Sequence, residues 1–228
     1  MFDVDGTLTP SRGKIDSEFH DWFLNFCNNN PVFIVTGSDK AKTVEQIGPD
    51  IFNACVKVYN CSGNEVWKGD DRIHYNSWTL PNDAREWLVS ELLMSEYKYR
   101  TGNHIEERTG MVNFSVVGRN ADSEQRADYF VYDCNTEERA SIARRFEAQF
   151  PDLSAKVGGE TGIDIFPYGS DKSQVLNDFS SIELGFISFY GDRCDPAGND
   201  YPIALLLGKD QTYHVADWHE TWDLLKQR

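Results

Sequence analysis

Asp3 and Asp5 stand two residues apart, followed by Gly6-Thr7, at the end of the apolar run that opens the chain. Phosphoryl transfer to a carboxylate uses such a pair. One aspartate attacks phosphorus, and the second, within reach of the leaving oxygen, gives and later takes back a proton. Gly6 permits a sharp turn and is expected to keep backbone amides near a phosphate. Two carboxylates repel an incoming phosphate unless a cation neutralises them. Mg2+ does so with oxygen ligands, often only one or two of them carboxylates. The segment Gly191-Asp192-Arg193-Cys194-Asp195-Pro196-Ala197-Gly198-Asn199-Asp200 can supply these. Thr36 ends another apolar run and offers a hydroxyl to phosphoryl oxygens, while Lys172 can offset the charge on Asp3 and on the pentavalent transition state.

Taken singly, each feature has a plainer reading. An Asp-x-Asp pair is common in solvated turns, Thr36 alone reads as a helix cap, and Lys172 alone reads as a solvated residue at a helix start. The combination points to one chemistry because Asp3, Thr36 and Asp192 each follow directly on a strand-like apolar run.

The elements that must position these residues can be read from periodicity. Phe19, Trp22, Phe23 and Phe26 follow a helical stripe, Pro31 ends it, and Val32-Phe33-Ile34-Val35 reads as a strand buried on both faces. The polar stretch from Asp39 to Glu45 begins a helix. Strand, helix, strand in this order implies a parallel sheet covered on both faces. Val56–Tyr59 reads as the next strand, stopped by Asn60-Cys61-Ser62-Gly63. After Pro81 a helix carries Ala84, Trp87, Leu88 and Leu92. Val112, Phe114 and Val116 alternate with Asn113, Ser115 and Val117 as a half-exposed strand, Tyr129–Tyr132 reads as another, and a helix follows over 137–149. Ile187–Tyr190 and Ala204–Leu207 read as further buried strands of the first sheet. The expected fold class is therefore α/β: a Rossmann-like parallel core over 1–80 and 166–228, interrupted by an α+β insertion over 81–165. The cleft between them is the expected ligand site. Only two residues precede Asp3, so the strand fixing it is expected to be short or to be continued by residues before Met1. A short strand implies weaker positioning of Asp3.

Composition narrows the function classes. The 228 residues carry a formal charge of −15, with basic residues scattered, which argues against a nucleic-acid partner. An anionic substrate then requires local arginines, a lysine or a metal. No run of about 18 apolar residues exists to span a bilayer. The opening residues show no basic-then-apolar leader, and five cysteines without a CxxC spacing fit buried, reduced thiols in a cytoplasmic protein.

The segments FDVDGTL, VTGS at 35–38, Lys172 and GDRCDPAGND at 191–200 resemble, in order, the four motifs of the haloacid dehalogenase superfamily. Closer still, FDVDGTLTPSR at 2–12, RTGMVNFSVVGR at 108–119, GGETGIDIFPYGSDK at 158–172 and ISFYGDRCDPAGND at 187–200 resemble the eukaryotic-type phosphomannomutases. The resemblance implies a nucleophile at Asp3, a general acid/base at Asp5, and phosphate binding by Thr36 and Lys172. It implies Mg2+ held by Asp3, Asp192 and the Asp5 backbone carbonyl, with Asn199 and Asp200 completing the shell. It also implies a type C2 α+β cap whose Arg108, Arg119 and Arg126, with Arg12 from the core, grip a sugar phosphate, and whose Asp164 contacts the sugar. Read without the family, those three cap arginines would be ordinary surface residues pairing with Glu106, Glu107 and Glu124.

Four segments depart from the family pattern. Thr109-Gly110 replaces Asn-Gly, Gly162 replaces a sugar-contacting serine, Cys61-Ser62-Gly63-Asn64 replaces Glu-Asn-Gly, and Ser170 replaces a tryptophan. The implied activity is interconversion of mannose 1-phosphate and mannose 6-phosphate, with glucose phosphates also open, a hexose 1,6-bisphosphate as activator, and a homodimer formed through the cap. A sugar-phosphate phosphatase using water as acceptor and a non-catalytic sugar-phosphate-binding protein are the alternatives.

Overall fold

A computed structural model describes residues 1–196 and 198–227. The chain divides into two compact units, Met1–Tyr75 with Ser170–Arg228, and Asn76–Gly169. Among the described residues no helix is long and apolar enough to cross a membrane.

In the first unit, α1 (Ser17–Asn29) is started by Asp16, whose carboxylate accepts the amides of Glu18 and Phe19. It leads to β1 (Phe33–Val35), then α2 (Lys40–Ile47), capped by Asp39, then α3 (Pro49–Ala54) and β2 (Lys57–Asn60). The chain then makes an antiparallel hairpin from β3 (Glu65–Lys68) and β4 (Asp71–Tyr75). This hairpin makes the sheet mixed, where parallel strands alone were expected. β2 and β3 are too close in sequence for a crossover, so a tight return gives antiparallel pairing.

The second unit begins with α4 (Asn82–Met94), which follows Pro81 as expected. Leu80, which the sequence reading assigned to the first unit, is buried in the core of the second. Strands β5 (Ile105–Arg108) and β6 (Met111–Phe114) form a hairpin, followed by α5 (Ser123–Thr136), α6 (Glu138–Gln149), β7 (Leu153–Gly158) and β8 (Gly162–Pro167). The order β5-β6-β8-β7 is antiparallel throughout. Tyr129–Tyr132 is helical rather than extended. A capping box between Asp122 and Gln125 nucleates α5, and Tyr129 and Asp133 share its buried face while Phe130 and Val131 are exposed. The β6 region is also not half-exposed: Asn113, Ser115 and Val117 are as buried as Val112 and Phe114. One face of this sheet puts Val112, Phe114, Ile163 and Ile165 against Leu88, Tyr129, Ile142 and Phe146 of the helices. On the other face, register aligns Glu106, Asn113, Asp164 and Lys156 in one polar row.

The chain returns to the first unit through a 3-10 segment (Lys172–Asp178), α7 (Ser181–Leu184), β9 (Phe189–Gly191), α8 (Tyr201–Leu207), β10 (Thr212–His214) and α9 (Trp218–Lys226). Ala204–Leu207 is thus helix, not strand. Pro202 favours a helix start, Ile203 alone is fully buried, and Leu205 and Leu206 face outward. A short apolar run does not distinguish the two by periodicity. Cys27, Cys55 and Cys61 are buried, but Cys134 is exposed and Cys194 half-buried.

Residues 1–3 are the centre of the core sheet. Phe2 pairs in parallel with both Ile34 of β1 and Tyr190 of β9. The Phe2 amide donates to the Phe33 carbonyl and the Phe2 carbonyl accepts the Val35 amide, while the Asp3 amide donates to the Tyr190 carbonyl and the Met1 carbonyl accepts the Tyr190 amide, all at 2.9–3.0 Å. The short strand is therefore clamped on both edges. Strand alternation then divides the packing. Phe2, Ile34, Val58 and Tyr190 join one cluster with Phe19, Phe23 and Leu225, while Met1, Val35, Tyr59 and Phe189 join another with Val175, Leu176 and Ile203. Phe23 contacts the Phe2 ring edge-on at a centroid distance of 5.2 Å. Replacing Phe23 by Ala should lower the unfolding free energy by about 3–5 kcal/mol, measured as a reduced urea midpoint at unchanged slope.

Candidate active site

Three adjacent parallel strands end side by side at Asp3, Thr36 and Asp192, because β9 and β1 flank residues 1–3. This is the carboxyl edge of the sheet, where α/β folds gather ligands. Lys172 opens the 3-10 segment and is 2% exposed. Its ammonium donates to Asp3 Oδ1 at 2.5 Å and to Asp200 Oδ1 at 2.7 Å. The reading of Lys172 as a solvated helix-start residue is excluded. Asp200 is itself fully buried and accepts the Arg193 amide through Oδ2 at 3.2 Å.

Asp3, Asp192 and Asp200 each bring a carboxylate oxygen within 4.8 Å of the others. Three carboxylates thus face one ammonium. Burial raises the Asp3 carboxyl to about 8, Lys172 opposes this, and Asp200 and Asp192 add to the rise. Asp192 is pushed up by burial and by Asp200. Burial acts against the Lys172 charge, but Asp200 and Asp3 outweigh it and hold the ammonium protonated. The remaining negative charge and the all-oxygen donor set fit a hard divalent cation. Gly6 makes the close approach possible: its φ is +78°, and a Cβ there would lie 2.4 Å from Asp192 Oδ2.

Asp5 is held differently. Its Oδ1 accepts the Arg12 amide at 2.5 Å and Gln46 Nε2 at 2.9 Å. Gln46 is 1% exposed and also donates to Thr9 Oγ1 and to the Gly13 carbonyl. It was absent from the sequence reading, although a glutamine on the buried face of α2 beside Thr43 and Ile47 is the signal that could have found it. The amides of Gly6, Thr7, Leu8 and Thr9 bond back to Val4 and Thr9, so they brace the turn and are not turned toward a phosphate. Thr36 does not cap α2, since Asp39 does. Its buried Oγ1 accepts the Ser38 amide at 3.1 Å, which leaves the hydroxyl proton to donate. The Arg12 side chain and Asn199 are exposed, and Ala197, in the same loop, lies outside the described residues.

In the second unit, Glu106 Oε2 accepts Arg108 Nε at 2.8 Å and Nη2 at 2.5 Å. Arg119 Nε lies 3.2 Å from the same oxygen, yet off-line, so its buried N–H has no hydrogen-bond acceptor among the described residues. Burial lowers the Arg119 pKa; Glu106 opposes this, while repulsion from Arg108 and Arg126 adds to it. The surface-pairing reading holds only for Glu106. Glu107 pairs with Arg85, and Arg126 meets Glu160 at 3.4 Å. Asp164 Oδ1 accepts Asn113 Nδ2 at 2.6 Å and lies 3.9 Å from Arg108. Burial raises the Asp164 carboxyl, with Asn113 and the two arginines opposing. The sequence offers Glu106 only as a surface partner of the arginines and Asn113 only as an alternating strand position; that both stand in register with Asp164 on one sheet face is revealed by strand pairing alone.

The raised Asp3 pKa has a measurable consequence. Without a divalent cation, the folded protein holds a proton that the unfolded chain releases near pH 4, so stability should fall as pH rises from about 4 through about 8. A divalent cation should raise the melting temperature most at the alkaline end and flatten this slope. Thermal scans at pH 5, 7 and 8 with EDTA or Mg2+ check it.

The family described as eukaryotic phosphomannomutase matches residues 19–226. Among curated relatives, a phosphomannomutase of Saccharomyces cerevisiae is 31% identical over 211 residues, covering 89% of this chain and 83% of the relative. One from Galdieria sulphuraria is 32% identical over 213 residues with the same coverages. A haloacid dehalogenase-like hydrolase from Bacteroides thetaiotaomicron superposes with a TM-score of 0.54 at 14% identity, over 87% of this chain and 81% of that one, which speaks for the fold alone. A family match running through both units, with relatives above 30% identity along most of the chain, establishes that this chain belongs to the eukaryotic phosphomannomutase family.

Proposed function

We propose that the protein is a Mg2+-dependent phosphomannomutase, with Asp3 as nucleophile and Asp5 as general acid/base. The observation that supports this most is the buried Lys172 bridging Asp3 and Asp200 at the strand ends. Such a lysine neutralises charge at an attacking carboxylate and at the phosphoryl group it accepts. Asp3, Asp192 and the Asp5 backbone carbonyl would hold Mg2+, with Asp200 and Asn199 supporting them, and the ion would supply charge neutralisation of the phosphoryl oxygens.

Asp3 attacks phosphorus of a hexose 1,6-bisphosphate and forms an aspartyl phosphate. Asp5 protonates the leaving sugar oxygen. Gln46 and the Arg12 amide both bind Asp5 Oδ1, which leaves Oδ2 for the proton. A monophosphate then presents its free hydroxyl, Asp5 takes that proton, and the phosphoryl group passes from Asp3 to the hydroxyl oxygen. Thr36 donates its hydroxyl to the phosphoryl oxygens. Arg108, Arg119 and Arg126 hold the phosphate that is not reacting, and the Arg119 Nε–H, without an acceptor among the described residues, suits that role. Asp164 accepts a sugar hydroxyl, with Gly162 beside it. A homodimer through the apolar outer face of α4, where Leu93 is 80% exposed, completes the reading.

Incubation with mannose 1-phosphate, Mg2+ and catalytic glucose 1,6-bisphosphate should accumulate mannose 6-phosphate. Inorganic phosphate as the dominant product, with no 6-phosphate, would make the protein a phosphatase instead; no turnover at all would make it a binding protein. Arg119→Ala should raise KM for the hexose phosphate roughly tenfold to a hundredfold through loss of a charge-assisted contact.

A further inference from the structure

Asn113 lies directly across from Asp164 in the β6–β8 register and is 4% exposed. Its flanking residues, Val112 and Phe114, are anchored in the hydrophobic core on the opposite face, so the backbone at 113 cannot shift cheaply. The carboxamide donates to Asp164 Oδ1 at 2.6 Å. It fills the space beside Gly162, where a Cβ would lie 2.4 Å from Nδ2, 3.0 Å from Oδ1 and 3.1 Å from Cγ. A side chain at 162 and the present Asn113 rotamer are therefore mutually exclusive.

We propose that Asn113 is a positioning residue for substrate recognition, clamping Asp164 so that it offers one carboxylate oxygen to a sugar hydroxyl, and that Gly162 is the condition for this clamp. Gly162 then does more than remove a serine hydroxyl. It exchanges that direct contact for a neighbour that fixes the aspartate. The inference rests on Asp164 as the sugar contact proposed above.

The test measures KM and kcat for mannose 1-phosphate beside the inhibition constant of inorganic phosphate. Asn113→Ala should raise KM about tenfold with the change falling on KM rather than kcat, while phosphate inhibition, which depends on the arginines, is unchanged. Asn113→Ser, which keeps a short polar group at the buried position, should behave alike and serves if the alanine variant folds poorly. Gly162→Ser should also raise KM, and the double variant Asn113→Ala with Gly162→Ser should be no worse than the poorer single. A wild-type KM in both Asn113 variants, fully additive losses in the double variant, or equal weakening of phosphate inhibition would overturn the proposal. Asp164→Asn separates the two levels. An unchanged KM there would overturn Asp164 as the sugar contact, whereas a raised KM with normal Asn113 variants would overturn the clamp alone.

Discussion

The structure depends on one constraint: an ammonium and two carboxylates must be removed from water together, with a third, half-buried carboxylate beside them. Lys172, Asp3 and Asp200 are almost completely buried. Breaking such a set by removing one partner strands the others in a medium that solvates them poorly. This is why the clamping of residues 1–3 between β1 and β9 matters, since Asp3 on a loose segment would drift from Lys172. It also explains why Gly6 must lack a side chain, because Asp192 closes in on that position. Three carboxylates around one ammonium leave an excess of negative charge that a divalent cation would relieve.

Around that centre the sheet acts as a ruler. Parallel pairing places the ends of β9, of residues 1–3 and of β1 at one level, and alternation sends successive side chains into separate hydrophobic clusters. Asp5, two residues beyond Asp3, leaves the ladder and enters a separate polar cradle made by Gln46 and the Arg12 amide. Two carboxylates so close in sequence thereby acquire different environments.

The second unit uses a sheet in another way. Its inner face is hydrophobic core; its outer face carries charges that are only partly balanced. Glu106 serves two arginines at once, and it satisfies Arg108 far better than Arg119. Arg119 is left facing the repulsion of Arg108 and Arg126 with only Glu106 and Asp164 opposing it. Glycine at 162 and asparagine at 113 then determine how Asp164 is presented beside it.

The sequence by itself determined the family and much of the core sheet. Asp3, Thr36, Lys172 and Asp192 were legible because each is a polar residue set directly after an apolar run or inside a distinctive motif, and those are local properties. Local signals failed where an apolar run was too short to show a period, as at Tyr129–Tyr132 and Ala204–Leu207. Capping at Asp122 and the proline at 202 decided those segments instead. Only the tertiary structure decided which partner each polar group meets. Gln46 beneath Asp5, Glu106 between two arginines and Asn113 in the space left by Gly162 all depend on strand register and helix packing between residues far apart in the chain. A hydrogen bond requires its two groups within about 3 Å and in line, and no local pattern along a chain encodes that distance.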